Sequence, residues 1–394
     1  MTNASGPLTG LRVLELGSFI AAPTAGRLLA DFGAEVVKVE RPGTGDELRR
    51  WRLHGGDTSL LFRTLNRNKR SIAIDLRKPA GRDLALGLAA RSEVILENFR
   101  PGTLERWGLG PDEIRKANPK AVLVRISGYG QTGPYRDRPG FGGVAEAIGG
   151  LREVTGYPDR PPTRAGISLA DSVAALYAVI GALMALRSPT PEVVDVALYE
   201  GIYSLMESLV PDYEVFGIQP RRSGSGLAGV APSGTYRCAD EGWAVISGNG
   251  DAIFRRLMHL AGRDDLAQHP ELDDNAGRVA HQEEIDAAIE AWTRRHPLDE
   301  VLTALDRAGV PAGPIYTAAD IAKDPHYAAR GMLERHQIGP GTASFPGIVP
   351  RLEQNPGATR WLGPDLGADT DDILDDLGLD AKQRASLKRS GVIE

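Results

Sequence analysis

Short apolar runs separated by longer amphipathic stretches set the pattern of the first two hundred residues. Leu11–Leu16 (LRVLEL), Glu35–Glu40 (EVVKVE), Ser71–Leu76 (SIAIDL), Glu93–Glu97 (EVILE), Ala121–Ile126 (AVLVRI) and Val193–Leu198 (VVDVAL) are too short for helices and rich in β-branched residues, so they predict strands. A helix started by Pro23 and running to Phe32 follows the first run, and another begins at Pro79 after the third. Strand and helix in alternation predict a parallel sheet with helices on both faces.

The stretch Pro162–Leu186 departs from that rhythm. After the single acid Asp171 come Val173, Leu176, Tyr177, Ile180, Leu183 and Met184 with Ala or Gly between them, apolar on every face, which predicts a buried helix with Asp171 at its start. An acid there has two readings. It is an N-cap that accepts the first free N–H groups, or it is an ionised, partly desolvated carboxylate able to act as a nucleophile.

Beyond it, Gly201–Gly217 reads as a mostly helical connector ending in a Gly/Ser/Arg-rich loop through Gly224, Gly226 and Gly229. A hairpin over Gly234–Ser247, turning at Asp240-Glu241-Gly242, then leads into helices near Asp251–Ala261, His281–Arg294 and Leu298–Ala308. That is α+β texture. From Gly331 the chain is rich in Gly and Pro, and one short helix near Asp369–Leu377 stands out.

Composition narrows the function classes. At 394 residues and 42% hydrophobic the chain can bury ample core and suits two domains. A net charge of −6 gives no overall attraction to nucleic acid or to an anionic membrane, so any anion site must be a local patch. The apolar run after Asp171 is too short and alanine-rich to span a bilayer, and no leader is visible, which points to a cytoplasmic protein. Cys238 stands alone in an apparent strand and reads as a structural thiol. The seven histidines show no metal-ligand spacing, so no metal is expected. The first strand-to-helix turn reads Gly17-Ser18-Phe19-Ile20-Ala21-Ala22-Pro23 in place of G-x-G-x-x-G, which argues against a nicotinamide or flavin oxidoreductase.

Four stretches are recognisable together: DFGAEVVKVERPGTGD (Asp31–Asp46), NRNKRSIAIDLRKPAGRD (Asn66–Asp83), ENFRPGTLERWGLG (Glu97–Gly110) and ISGYGQTGPY (Ile126–Tyr135). In number, order and spacing they resemble the class III CoA-transferase family, which includes formyl-CoA transferase, carnitine-CoA transferases and α-methylacyl-CoA racemases. The likeness runs from LTGLRVLEL to LGADTDDILDDLGL.

The resemblance implies an α/β fold: a Rossmann-like large domain over residues 1–200, completed by about 346–394, a connector over 201–222, a small α+β domain over 223–330 and a return linker over 331–345. It also implies an interlocked homodimer. Asp171 matches the aspartate that becomes acylated, so that CoA passes from an acyl-CoA thioester to a free carboxylic acid through an aspartyl anhydride and an aspartyl-CoA thioester. CoA contacts carry over onto Arg41, Ile74 to Arg77, Asn98, Phe99, Arg100 and Arg106, with guanidinium groups suited to the phosphates. Gly224, Gly226 and Gly229 match a mobile substrate loop. Acyl-CoA and a small carboxylic acid are substrates, and no cofactor is permanently bound.

Departures from the family refine this. A glutamine that steers the acyl group in formyl-CoA transferase is replaced by Ile20, and a lysine and a tyrosine of that subgroup by Pro139 and Phe141. The racemase branch pairs the aspartate with a histidine, which Asp137–Gly142 lacks. Racemisation with another second base, and CoA binding without chemistry, are the alternative readings. Arg164, Arg221 and Arg222 are either clamps for a second carboxylate or solvated loop charges.

Overall fold

The computed structural model describes residues 6–394. Six parallel strands, β1 (Arg12–Glu15), β2 (Glu35–Glu40), β3 (Lys69–Ala73), β4 (Val94–Glu97), β5 (Val122–Ser127) and β6 (Val193–Ala197), lie in the order β3-β2-β1-β4-β5-β6. Each of the six apolar runs thus lies in one strand. This is the doubly wound order, in which the direction of winding reverses between β1 and β4 and leaves a crevice at the carboxyl ends of the strands. Helix α1 (Ala21–Asp31) follows β1, and α2 (Pro79–Ala89) follows β3.

The core between sheet and helices joins both ends of the chain. Leu14, Ile72, Ile74, Leu84, Leu88, Ile95 and Leu123 pack with Ile373, Leu374, Val392 and Ile393, each such side chain contributing roughly 1.5–3 kcal/mol on burial. The exposed edge of β3 is also closed by the tail. Asn68 N–H donates to Trp361 O at 3.0 Å, Trp361 Nε1 to Lys69 O at 2.8 Å, and Ser71 N–H to Asp369 Oδ2 at 2.8 Å.

Beneath α1 lies a fully buried set of charges. Glu15 accepts from Lys38 at 3.0 Å and from Lys69 at 2.7 Å, and Lys38 also meets Asp46 at 2.9 Å. Burial pushes Lys69 down to about 8, whereas Asp46 and Glu15 overcome the same burial at Lys38 and hold it above its ordinary value. Gly26 of α1 is glycine for this reason, since a Cβ there would stand 2.0 Å from Glu15 Oε2. Asp31, at the end of α1, is gripped by Arg67 through two 2.8 Å bonds, and Asn68 bridges Asp31 to Ala358 O.

By internal packing the chain forms two units. The first holds the stretch ending at Gly150 together with Ala165–Glu207 and Pro325–Glu394; the second holds Leu151–Arg164 and Ser208–Asp324. These limits differ from the expected ones. Residues 331–345 are no linker: Leu333–Ile338 (β10) and Gly341–Pro346 (β11) pair as an antiparallel hairpin inside the first unit. A further helix, Ala381–Arg389, is opened by an Asp380/Gln383 capping box.

The second unit is built on β7 (Ser233–Arg237), β8 (Trp243–Ser247) and β9 (Ala312–Pro314), antiparallel in the order β9-β8-β7. Its core gathers Tyr236, Ile246, Phe254, Leu257, Ile285, Ile289, Trp292 and Leu305. Cys238 is buried there, with its thiol pushed up by burial, as suits a structural residue.

The helix carrying Asp171 corrects an expectation. It spans Leu169–Ala185 and packs closely on α1, but its buried face is Ala170, Val173, Ala174, Ala175, Ala178, Ala182 and Ala185. Leu176, Tyr177, Ile180, Leu183 and Met184 are exposed in the single chain, Met184 by 69%. Small side chains let two helices approach, and the large ones are left on the outer face.

One buried pair at the exit of β4 gives a pH prediction. Glu97 accepts from Arg125 Nε and from the Phe99 N–H, each at 2.7 Å, and Arg125 reaches Glu105 at 2.8 Å. Burial pushes the Glu97 carboxyl from 4.5 up to about 7, with Arg125 drawing it back in part. The folded chain therefore favours protonated Glu97 more than the unfolded chain does. Its contribution is complete below about 4.5 and is lost as pH rises through about 7. Glu97→Gln should remove this dependence: in urea melts, variant minus wild-type stability should climb by up to about 3 kcal/mol between pH 4.5 and pH 8. A difference that stays flat with pH would show that Arg125 keeps Glu97 ionised throughout.

Candidate functional site

The strands direct their carboxyl ends at one pocket. Leu16, Gly17 and Ser18 after β1, Lys38 to Glu40 on β2 and Arg41 just after it, Ile74 to Arg77 after β3, and Phe99 and Trp107 after β4 line a cavity of about 230 Å³ at the winding reversal. Of the expected CoA contacts, Arg41, Ile74, Arg77 and Phe99 meet here.

Their surroundings differ in ways that matter for anion binding. Arg41 is exposed and has no salt-bridge partner among the described residues. Arg77 is half exposed and bound to Asp75 through Nε and Nη2, both at 2.8 Å, and its guanidinium holds the Asp75 carboxyl below its ordinary value. Ile74 is buried, its N–H donating to Glu40 O at 2.8 Å while Ile393 bridges it from the C-terminal tail. Phe99 and Trp107 meet edge to face at 5.1 Å, so an apolar aromatic corner closes one side. Trp107 was not among the expected contacts, although it lies inside the ENFRPGTLERWGLG stretch.

The other three expected contacts stand outside the pocket lining. Both ends of the Asn98 amide are taken by Ser18, accepting from its N–H at 2.9 Å and donating to its carbonyl at 2.8 Å. A side-chain amide thus holds the turn that glycines shape in dinucleotide-binding folds, which accounts for the missing fingerprint. Arg106 donates to Thr103 Oγ1 at 2.9 Å, and Arg100 is exposed on the surface of the first unit.

Asp171 lies elsewhere in the same unit. Ser168 occupies the N-cap position, so Asp171, third in the helix, is not the cap. Its half-buried carboxylate rests against Gly142, the first residue of a short helix, Gly142–Ile148, where a Cβ would stand 2.1 Å from Asp171 Oδ2. Only glycine permits that approach. Phe141, next to it, is 64% exposed; its ring is 6.3 Å from that of Phe19, which lies 5.3 Å from Trp51. Ile20 is buried against Leu48 and Phe62, so the residue replacing the glutamine serves the core.

The glycine loop belongs to the second unit. Gly224 and Gly229 have φ of 72° and 75°, Gly224 N–H donates to Gly156 O at 3.0 Å, and Gly226 O accepts from Ser223 Oγ at 2.8 Å. Asn275 anchors Gly229 O at 2.9 Å. Arg222 is drawn into the same structure by Tyr157 O and Glu153.

Comparison with known proteins agrees with this architecture. Residues 8–370 match the family described as CoA-transferase family III. The chain is 48% identical to a succinyl-CoA--D-citramalate CoA-transferase of Chloroflexus aurantiacus over 98% of each protein. It is 33% identical to a succinate--glutarate CoA-transferase of Agrobacterium fabrum, over 96% of this chain and 97% of that one. A crystal structure of a CAIB/BAIF family protein from Brucella suis superposes with a TM-score of 0.83 at 33% identity, covering 95% of this chain and all of the other, 100%. The chain belongs to CoA-transferase family III and is an enzyme that transfers CoA between acyl-CoA thioesters and carboxylic acids.

Proposed function

We propose that the protein transfers CoA from succinyl-CoA to a short substituted dicarboxylic acid of the citramalate kind, with Asp171 as the group acylated in turn. The observation that carries the acid class is the 48% identity, along nearly the full length of both chains, to the succinyl-CoA--D-citramalate enzyme. The contact of Asp171 with Gly142 supports the role of the aspartate, because a carboxylate seated against bare backbone is held in one place, as a nucleophile must be.

The chemistry balances without water or added proton. Asp171 attacks the thioester carbon, the C–S bond breaks, and CoA leaves as thiolate, giving a mixed anhydride. The thiolate attacks the aspartyl carbonyl and expels the donor acid as its carboxylate. The acceptor carboxylate then attacks the aspartyl-CoA thioester, and the freed thiolate takes the acceptor acyl group, restoring Asp171.

In this reading Arg41, with Arg77 beside it, meets the phosphates of CoA, and Phe99 with Trp107 meets the adenine. Arg77 must first exchange Asp75 for phosphate. The exposed Leu176, Ile180, Leu183 and Met184 face supports a homodimer, since so large an apolar stripe is rarely left to water. An interlocked arrangement and a cytoplasmic location complete the proposal. No helix among the described residues is long and apolar enough to cross a membrane.

Asp171→Ala should lower turnover by at least about 10³-fold and change stability by no more than about 1 kcal/mol, the worth of an acid in a first helical turn. Peptide mass analysis should find a donor-dependent adduct on Asp171 of the wild type, and its absence would redirect the mechanism to direct transfer. Arg41→Ala should weaken CoA about tenfold or more while leaving dephospho-CoA nearly unaffected, as measured by calorimetry, with Arg77→Ala showing a smaller effect of the same kind. Equal weakening of both ligands would place the arginines elsewhere. In sedimentation at nanomolar concentration the protein should remain dimeric and should lose dimer and fold in one transition, whereas a folded monomer would dismiss interlocking.

A further inference from the structure

Arg41 opens a loop that has little of its own to hold it. Pro42-Gly43-Thr44-Gly45 follows, with Gly43 and Gly45 at φ of 76° and 63°, and a Cβ on Gly43 would meet nothing within 4 Å. Inside the loop Gly45 N–H donates to Arg41 O at 2.8 Å, and Arg50 reaches Thr44 O at 3.2 Å. Glycines in an open loop leave the backbone many states, so whatever fixes Gly43 also fixes the direction of the guanidinium two residues before it.

The fixing group comes from the far end of the sequence. Lys78 Nζ donates to Ser390 O at 2.6 Å and to Gly391 O at 2.9 Å, Asp75 N–H donates to Val392 O at 2.8 Å, and Ile393 bridges Ile74. Val392 and Ile393 are buried, so this stretch lies firmly along the segment that carries Arg77. Glu394 then crosses to the loop after β2, its Oε2 accepting from Gly43 N–H at 2.6 Å. One short piece of chain thus joins the two segments whose arginines stand at the pocket. Glu394 is exposed and lies outside the pocket lining, so an effect of its side chain on CoA has to pass through the loop.

We infer that Glu394 is a positioning residue for CoA: by fastening Gly43 it holds Arg41 in the direction that meets phosphate, and the loop is ordered before the ligand arrives. The inference rests on the proposal that Arg41 meets the phosphates of CoA.

The test measures CoA and dephospho-CoA binding to the purified full chain by calorimetry, with KM for succinyl-CoA alongside. Glu394→Ala should weaken CoA about fivefold and raise that KM in step, while kcat and the affinity for dephospho-CoA each change by less than about twofold. Glu394→Gln keeps an acceptor oxygen and should restore CoA affinity to within about twofold of wild type. In an Arg41→Ala background the Glu394→Ala change should cost less than about twofold, because the group it positions is gone. No loss in Glu394→Ala, an equal loss for both ligands, or the full loss persisting without Arg41 would overturn this inference; with Arg41→Ala still weakening CoA alone, the transferase reading would stand. Should Arg41→Ala fail to distinguish the two ligands, the placement of the phosphates falls and this inference falls with it.

Discussion

Everything at the carboxyl edge of the sheet depends on the ion cluster of Glu15, Lys38, Lys69 and Asp46. Two acids and two lysines without water are stable only when every oxygen and proton finds a partner, because an unpaired charge there would cost several kcal/mol. The partners come from β1, β2, β3 and the loop after β2, so satisfying the charges also sets the register of three strands. Gly17 O, Pro23 O and Asn66 Oδ1 accept the remaining lysine protons, and the first two tie in the first turn and the start of α1. Packing apolar residues would hold the strands together as strongly, but it would not fix the turn to the same accuracy.

That cluster changes the meaning of the sequence motifs. The segments Asp31–Asp46 and Asn66–Asp83 are recognisable as family marks, and a natural expectation is that they mark ligand contacts. Much of what they encode is scaffold: Asp31 grips Arg67, Lys38 grips Asp46, and Glu40 grips Arg49 through two 2.7 Å bonds. Arg41, Ile74 and Arg77 project from this frame into the pocket. Charged residues inside strands are a signal for such a cluster, since a lysine in a run like EVVKVE has to be either solvent-facing or paired.

The sheet was legible because buried parallel strands are short, apolar and spaced by helices. The family could be read from motif order, and the family match agrees with it. The hairpin over residues 333–346 was not legible, since LERHQI carries no alternation of apolar and polar residues and GTASFP alternates only over the four residues Thr342 to Phe345. Nor was the orientation of the Asp171 helix. With alanine on one side and Leu, Ile and Met on the other, hydrophobicity alone makes both faces look buried, and only side-chain size separates the close-packed face from the open one. Asp171 could be placed near the helix start, whereas its contact with Gly142 depends on a fold partner about thirty residues away, which no local pattern reports.

The closing of β3 by residues near 361–370 has a consequence for biosynthesis. Strands β1 to β5 emerge early from the ribosome, yet the hydrogen bonds that cover the β3 edge, and the Ile373, Leu374, Val392 and Ile393 side chains that finish the core, come from the far end of the chain. Until they arrive, the nascent sheet displays an open edge and an unfilled apolar face, the conditions under which strands pair with the wrong partner. Contacts separated by some three hundred residues also require large loops to close before they reward the chain. Translation of the whole second unit thus sets the earliest moment at which the first can become complete, and the cell must keep the unfinished sheet from aggregating for that interval.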